Sequence, residues 1–205
     1  MKAPAGPDRF AGVRSVALPR YGTVAILLHW AIAVMIGWNL VLGYEMGRAK
    51  GLDQFNLFQL HKSVGIAVLL LSLGRLLWRL AHRPPALPAT MSGWERRLAG
   101  LAHAGLYFFM VGMPLTGWAI VSTSALNIPT LIFHTVSWPH LSVLHDLPAT
   151  AKANANIGFG TAHMFLAWGG GALIVLHIAG ALKHAFFKRD GLLGRMLPLV
   201  GGVHR

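Results

Sequence analysis

Long apolar runs alternate along the chain with shorter polar stretches that carry most of its charge. An α-helix of about 20 apolar residues crosses the roughly 30 Å hydrocarbon core of a bilayer. Four segments reach that length: residues 23–43, 61–80, 99–123 and 158–186. The pattern therefore predicts an all-α fold, an integral membrane four-helix bundle, and a single domain over residues 1–205.

The polar stretches predict where the chain leaves the membrane. RPPALPAT, residues 83–90, predicts a stiff connector, because proline cannot continue the second helix. Residues 124–156 predict an outer loop that is either functional or ordered on the membrane surface. In the third span, Pro114 and Gly117 of MPLTGW predict a kink and a close backbone approach.

Composition agrees with a membrane protein and limits the chemistry. The chain is 55% hydrophobic and only 12% charged, which is more apolar surface than a soluble domain of 205 residues can bury. It contains no cysteine, which excludes disulfides, thiolate-held iron–sulfur clusters and haem attached through C-x-x-C-H.

The formal net charge of +12 is distributed by side of the membrane. One side carries Lys2, Arg9, Arg14, Arg20, Arg79, Arg83, Arg96, Arg97, Lys183, Lys188, Arg189, Arg195 and Arg205. The other side carries Arg48, Lys50, Lys62 and Lys152. This positive-inside pattern predicts that both termini are cytoplasmic and that the basic rim meets anionic lipid headgroups. No nucleic-acid partner is expected, since the charge follows topology and no aromatic-interleaved basic patch is present.

Histidines inside the predicted spans are the main functional signal, because ionisable groups are costly in a membrane. His163 and His177 are separated by about 21 Å of helical rise and about 40° of rotation, so they lie near one face at two depths. Depth pairs His29 with His177 toward the cytoplasmic side. It pairs His61 with His163 near the outer side.

Two facing imidazoles can occupy both axial positions of a haem iron, whose flat macrocycle fits between helices. Occupation of both positions favours electron transfer over binding of O₂. Two other interpretations remain open: hydrogen bonds that hold helices together, and a proton path. A proton path usually includes buried carboxylates, and none of the six acidic residues lies inside a predicted span.

Other ionisable residues are weaker candidates. His184 is predicted to face headgroups or a haem propionate, and His103 competes weakly for the inner iron. Arg75 either snorkels to the interface or pairs with an inner propionate. Lys62 has three interpretations: an ordinary interfacial lysine, an ion-pair partner of an outer propionate, or a cation that attracts an anionic substrate. Three outer-loop histidines have irregular spacing that matches no common metal site: His134, His140 and His145.

Four motifs, in order, resemble the bacterial cytochrome b561 family of diheme membrane cytochromes. They are RYGTVAILLHW (residues 20–30), LHKSVGIAVLLLSLGRLLWRL (60–80), MPLTGW (113–118) and LHIAGALKHAFFKRDGLLGRMLP (176–198). Ala185 stands where many members carry a second consecutive histidine. That departure leaves His177 in place and affects only the surroundings of His184.

The resemblance implies that two non-covalent b-type haems are bound by four axial ligands: His29, His61, His163 and His177. It also implies an electron path between an outer reactant and quinone. Some members take an electron from periplasmic superoxide and pass it to ubiquinone, whereas others are electron-carrying subunits.

From this resemblance we expect a multi-pass oxidoreductase of the bacterial inner membrane that oxidises superoxide with ubiquinone as acceptor. Lys62, and more weakly Lys152, would attract the anion. Two alternatives are an electron-carrying subunit for a dehydrogenase or hydrogenase and a haem-free helical transport or scaffold protein. Four spans are compatible with a monomer or a homodimer.

Overall fold

A computed structural model describes residues 19–88 and 91–197 and contains four long helices. These are α1 (Thr23–Met46), α2 (Gly51–Ala81), α3 (Gly93–Thr123) and α5 (Ala149–Lys183). Each is long and apolar enough to cross a membrane, which confirms the predicted four-helix membrane fold. The predicted basic residues Lys2, Arg9, Arg14 and Arg205 lie outside the described residues, as do the two ends of the predicted domain.

The remaining elements follow α3 and α5. Between these helices are β1 (Thr130–Ile132), β2 (Val136–Trp138) and the short α4 (Ser142–His145), and β1 and β2 form an antiparallel hairpin. A π-helical turn at His184–Lys188 and a 3₁₀ turn at Leu193–Arg195 follow α5.

The helices extend beyond the apolar runs that predicted them. α2 begins at Gly51 rather than at residue 61, and α5 begins at Ala149 rather than at residue 158. The added segments are helical but less apolar, so a boundary drawn from hydropathy falls inside the helix. The outer loop is correspondingly shorter than predicted and covers residues 124–148.

Two helix pairs form the bundle. α1 packs mainly against α2, and α3 packs mainly against α5, while α2 and α3 connect the pairs. A Cβ atom at Gly170 of α5 would lie only 2.0 Å from the Phe109 ring of α3, so glycine permits this approach. α5 packs chiefly against α3 and much less closely against α1 and α2.

The outer loop is fastened to α2 by two fully buried polar side chains, Gln59 and Ser63. Gln59 Nε2 donates a hydrogen bond to the Pro129 carbonyl at 3.0 Å, and its Oε1 accepts one from the Leu131 amide at 3.2 Å. Ser63 Oγ accepts a hydrogen bond from the Phe133 amide at 2.9 Å. These bonds hold the hairpin as an ordered cover at one end of the bundle.

Charged groups hold the opposite end of the bundle together. The Glu95 carboxylate, in the first turn of α3, contacts the ammonium groups of Lys183 at 3.1 Å and Lys188 at 2.8 Å. The buried Arg195 guanidinium donates to the carbonyls of Pro19 at 2.8 Å and Ala86 at 2.9 Å. The start of α1, the connector between α2 and α3, and the segment after α5 therefore meet at one end.

The predicted headgroup-facing position of His184 is wrong. His184 is buried, with 7% of its surface exposed, and its Nδ1 lies 2.5 Å from a carboxylate oxygen of Asp190. The chain reverses at Arg189, whose φ is 48°, and this reversal returns Asp190 to the imidazole. A buried imidazole requires a polar partner, and the turn after α5 supplies it.

Candidate functional site

His61 of α2 and His163 of α5 face each other at the hairpin end of the bundle. Their ring centroids are 6.4 Å apart, and the ring planes are inclined by 71°. We call these two residues the outer pair. The structure thus brings together the two histidines that helical depth paired from the sequence.

Both Nδ1 atoms of the outer pair have hydrogen-bond partners. His61 Nδ1 lies 3.1 Å from the Asn39 carbonyl oxygen, which can only accept. His163 Nδ1 lies 2.9 Å from Thr116 Oγ1, whose own hydrogen goes to the Met113 carbonyl at 2.8 Å. Nδ1 is therefore the protonated donor in both rings, and Nε2 keeps a lone pair for a metal.

Two glycines create the space in which these rings lie. A Cβ atom at Gly43 of α1 would lie 3.3 Å from Cε1 of His61. A Cβ atom at Gly117 of α3 would lie 3.3 Å from Cε1 of His163. The close approach predicted at Gly117 is confirmed, and its contact is the histidine itself.

An apolar cavity of about 180 Å³ adjoins the outer pair. Its lining includes both imidazoles, with Ile36, Val68 and Phe109 among the apolar side chains. Polar exceptions on the wall include Lys62 and Asn39, and the Asn39 Oδ1 atom is buried without a hydrogen-bond partner in the described part of the chain. The lining, mostly apolar with a few polar groups, is of the kind found in sites for apolar ligands and cofactors.

His29 of α1 and His177 of α5 form the second pair, which we call the inner pair. Their centroids are 6.2 Å apart and their planes are inclined by 70°. His103 lies 5.5 Å from His177, with its Nδ1 held by the Ala99 carbonyl at 2.8 Å. Arg75 is half-buried close to this pair, and its Nε donates to the Tyr107 hydroxyl at 3.3 Å.

The separation within each pair can be compared with that of two imidazoles on opposite sides of one metal ion. Each ring contributes a metal–nitrogen bond of about 2 Å and about 1.1 Å from the nitrogen to the ring centre. Two such rings therefore have centroids about 6.2 Å apart. The outer and inner pairs, at 6.4 and 6.2 Å, both fit this arrangement. The donor atoms of both pairs fit the iron of a b-type haem, and at the outer pair an apolar cavity adjoins them.

The outer-loop histidines do not form a comparable site. His140 and His145 have ring centroids 5.0 Å apart, whereas His134 lies at the turn of the hairpin. Burial, and secondarily the neighbouring His145, lowers the pKa of His140. Over residues 19–88 and 91–197, no group of three or more His, Asp or Glu side chains is arranged to hold a metal ion.

Comparison with known proteins identifies the family. A family model described as prokaryotic cytochrome b561 matches residues 20–199, which is most of the chain. The chain belongs to the prokaryotic cytochrome b561 family. The predicted resemblance is confirmed, and membership establishes a membrane protein of electron transfer whose family binds b-type haem.

Relatives within this family cover nearly the full chain. Cytochrome b561 homolog 2 of Escherichia coli (strain K12) is 33% identical over 182 residues, covering 87% of this chain and 91% of the relative. The probable superoxide oxidase CybB of Yersinia pestis is 30% identical over 187 residues, with 87% and 96% covered. Cytochrome b561 homolog 1 of Escherichia coli (strain K12) is 25% identical over 183 residues, with 87% and 97% covered.

Three residues at the outer pair were not predicted to have a role there: Asn39, Thr116 and Gly43. The sequence carried a signal for Thr116 in MPLTGW, because a polar residue inside an apolar run needs a partner. Asn39 contacts His61 through its main-chain carbonyl, which any residue at that position would supply. Their partner histidines could be identified only once the helices were packed.

Proposed function

We propose that this family member binds two b-type haems and transfers electrons from periplasmic superoxide to ubiquinone. His29 and His177 would bind one iron, and His61 and His163 the other. The observation that carries this proposal is the presence of two imidazole pairs, each with ring centroids close enough for both rings to hold one metal ion. The basic residues at the inner end support an inner-membrane orientation with cytoplasmic termini.

Each bound haem would supply one-electron chemistry between ferric and ferrous iron. The two imidazoles of each pair would together hold one haem iron, and we expect such a haem to transfer electrons rather than bind O₂. The Asn39 carbonyl and the Thr116 hydroxyl orient the outer rings through Nδ1. The apolar wall formed by residues such as Ile36 and Phe109 excludes water. These residues favour electron transfer without bonding of the reactant to iron.

Lys62 is the residue that we propose for gathering superoxide. It follows His61 on α2, lines the outer cavity, and its ammonium group lies 3.3 Å from the Pro129 carbonyl. A cation beside the outer pair attracts a small anion, with Lys152 as a weaker contributor. Two superoxide ions would each lose one electron and leave as O₂, and ubiquinone would take up two electrons and two protons.

The charge of Lys62 can be tested by replacement with glutamate. We expect Lys62→Glu to slow superoxide-driven haem reduction on the order of tenfold at low salt, with the difference shrinking as salt screens the charge. Stopped-flow absorbance would measure the rate, and Lys50→Glu, exposed before the first turn of α2, is the matched control. An unchanged Lys62→Glu rate at low salt would refute the role of Lys62 in gathering superoxide.

A second candidate is an electron-carrying membrane subunit for a dehydrogenase or hydrogenase. The 33% identity to cytochrome b561 homolog 2 is compatible with either candidate, since that name gives no electron donor. Purification from native membranes under mild detergent would test this second candidate. A copurifying partner that reduces the haem rapidly without superoxide would favour this candidate over superoxide oxidation.

A further inference from the structure

The two histidine pairs differ in the hydrogen bonds of their rings. Both outer rings donate through Nδ1, one to the Asn39 carbonyl and one to the Thr116 hydroxyl. Thr116 is in turn polarised by its bond to the Met113 carbonyl. The inner rings of His29 and His177 make no side-chain hydrogen bond within the described ranges.

The pairs also differ in the charge beside them. Arg75 binds the Tyr107 hydroxyl. Tyr107 lies one helical turn along α3 from His103, whose ring centroid is 5.5 Å from that of His177, so the guanidinium lies near the depth of the inner pair. Its hydrogen bond to the Tyr107 hydroxyl keeps the guanidinium within the bundle. The cation near the outer pair is Lys62, whose ammonium contact is exposed to solvent that screens its charge, whereas the Arg75 contact is partly buried.

The hydrogen bonds act on the reduction potential of the outer site, and the charge of Arg75 acts on that of the inner site. An imidazole that donates through Nδ1 becomes a more basic ligand, which stabilises ferric iron and lowers the reduction potential. A fixed cation stabilises the reduced state, because ferrous iron carries one positive charge fewer. Both effects lower the outer potential relative to the inner one.

We propose that Thr116 and Arg75 give the outer haem the lower reduction potential and the inner haem the higher one, so that electrons run from the outer pair to the inner pair. This inference rests on the proposed binding of two haems. In each transfer one electron leaves the ferrous outer site, which becomes ferric, and enters the ferric inner site, which becomes ferrous. No bond forms or breaks, and no proton moves.

Thr116 is a positioning residue, and redox potentiometry of the purified holoprotein tests it. We expect Thr116→Val to raise the lower of the two midpoint potentials and to leave the higher one unchanged. Thr116→Ser, which keeps the hydroxyl, should retain the original value. Thr161→Val, an exposed position on α5 two residues before His163, is the control for the loss of a threonine. A lower midpoint that does not rise in Thr116→Val overturns the role of Thr116.

Arg75 has a corresponding test at the inner pair. Arg75→Leu should lower the higher midpoint potential, and Arg75→Lys should lower it less because the charge remains. Arg83→Leu, an exposed position just after α2, is the control for the loss of an arginine. Movement of the lower midpoint in Arg75→Leu, or no movement of either, overturns the role of Arg75.

The midpoints are assigned to the two sites by distance from a spin label. Since the chain has no cysteine, Val143→Cys provides a unique attachment point on the exposed outer loop. The nearer haem enhances the relaxation of the label more strongly, and this haem should be the one with the lower midpoint. The higher midpoint at that haem would overturn the inferred direction.

The outcomes separate this inference from the proposed function. Two haems with reversed or unresponsive midpoints would refute the inference and leave diheme binding intact. Ordered, responsive midpoints in a protein that superoxide does not reduce would support the inference and refute the superoxide donor. A protein with one haem would refute both.

Discussion

At the scale of single residues, four histidine imidazoles form the candidate site, and their depth in the membrane follows from helix geometry. The rise of an α-helix is constant, so residue number within a span predicts depth, and the structure brings together the same pairs. Depth says nothing about which acceptor each Nδ1 selects. Asn39 and Thr116 therefore required the packed structure. The position of His184 was mispredicted because it depends on a chain reversal at Arg189.

The pairing itself predicts which variants share a defect. His29→Ala and His177→Ala should each remove one haem, and it should be the same haem, because a single imidazole from the other helix holds the iron weakly. His61→Ala and His163→Ala should both remove the other haem. Absorbance and EPR spectra of the purified variants would measure these losses. Loss of different haems from His29→Ala and His177→Ala would contradict the pairing.

At the scale of elements, the apolar runs predicted the four spans but not where each helix begins. Hydropathy reports which residues prefer lipid. Residues 149–157 are mainly alanine and polar residues, so they do not extend the apolar run, yet they form the first turns of α5. The outer hairpin was not predicted because its three-residue strands depend on bonds to the buried Gln59 and Ser63. The contact between α3 and α5 depends on one of three consecutive glycines at residues 169–171.

Among those glycines, the structure distinguishes Gly170 from its neighbours. A methyl group at Gly170 would overlap the buried Phe109 ring, whereas Gly169 and Gly171 have open space. We expect Gly170→Ala to lower the free energy of unfolding by about 1–3 kcal/mol through overpacking. Gly169→Ala and Gly171→Ala should be neutral or slightly stabilising, since alanine favours helix. Thermal unfolding in detergent, followed by circular dichroism, would measure all three, and equal stability would contradict the close contact.

At the scale of the whole molecule, charge and packing both distinguish the two ends of the bundle. The end held by Arg195 and Glu95 carries most of the basic residues, while the hairpin covers the other end. The positive-inside pattern predicts that the Arg195 end is cytoplasmic. The outer pair would then lie where a periplasmic donor arrives, and the inner pair beneath the basic rim.

Orientation can be measured by cysteine labelling in this cysteine-free chain. A membrane-impermeant maleimide should label Val143→Cys in spheroplasts, because that side chain is exposed on the outer loop. Pro84→Cys, exposed on the connector after α2, should be labelled only in inside-out vesicles. The reverse labelling pattern would place the outer pair on the cytoplasmic side and contradict superoxide as a periplasmic donor.

The number of haems per polypeptide shows directly whether each histidine pair binds a haem. Detergent-purified protein from haem-replete cells would be examined by oxidised and reduced absorbance spectra and by pyridine extraction. Two non-covalent low-spin haems per chain are the predicted result, because each of the two imidazole pairs has ring centroids close enough for both rings to hold one metal ion. One haem per chain, or none, would contradict the assignment of a haem to each pair.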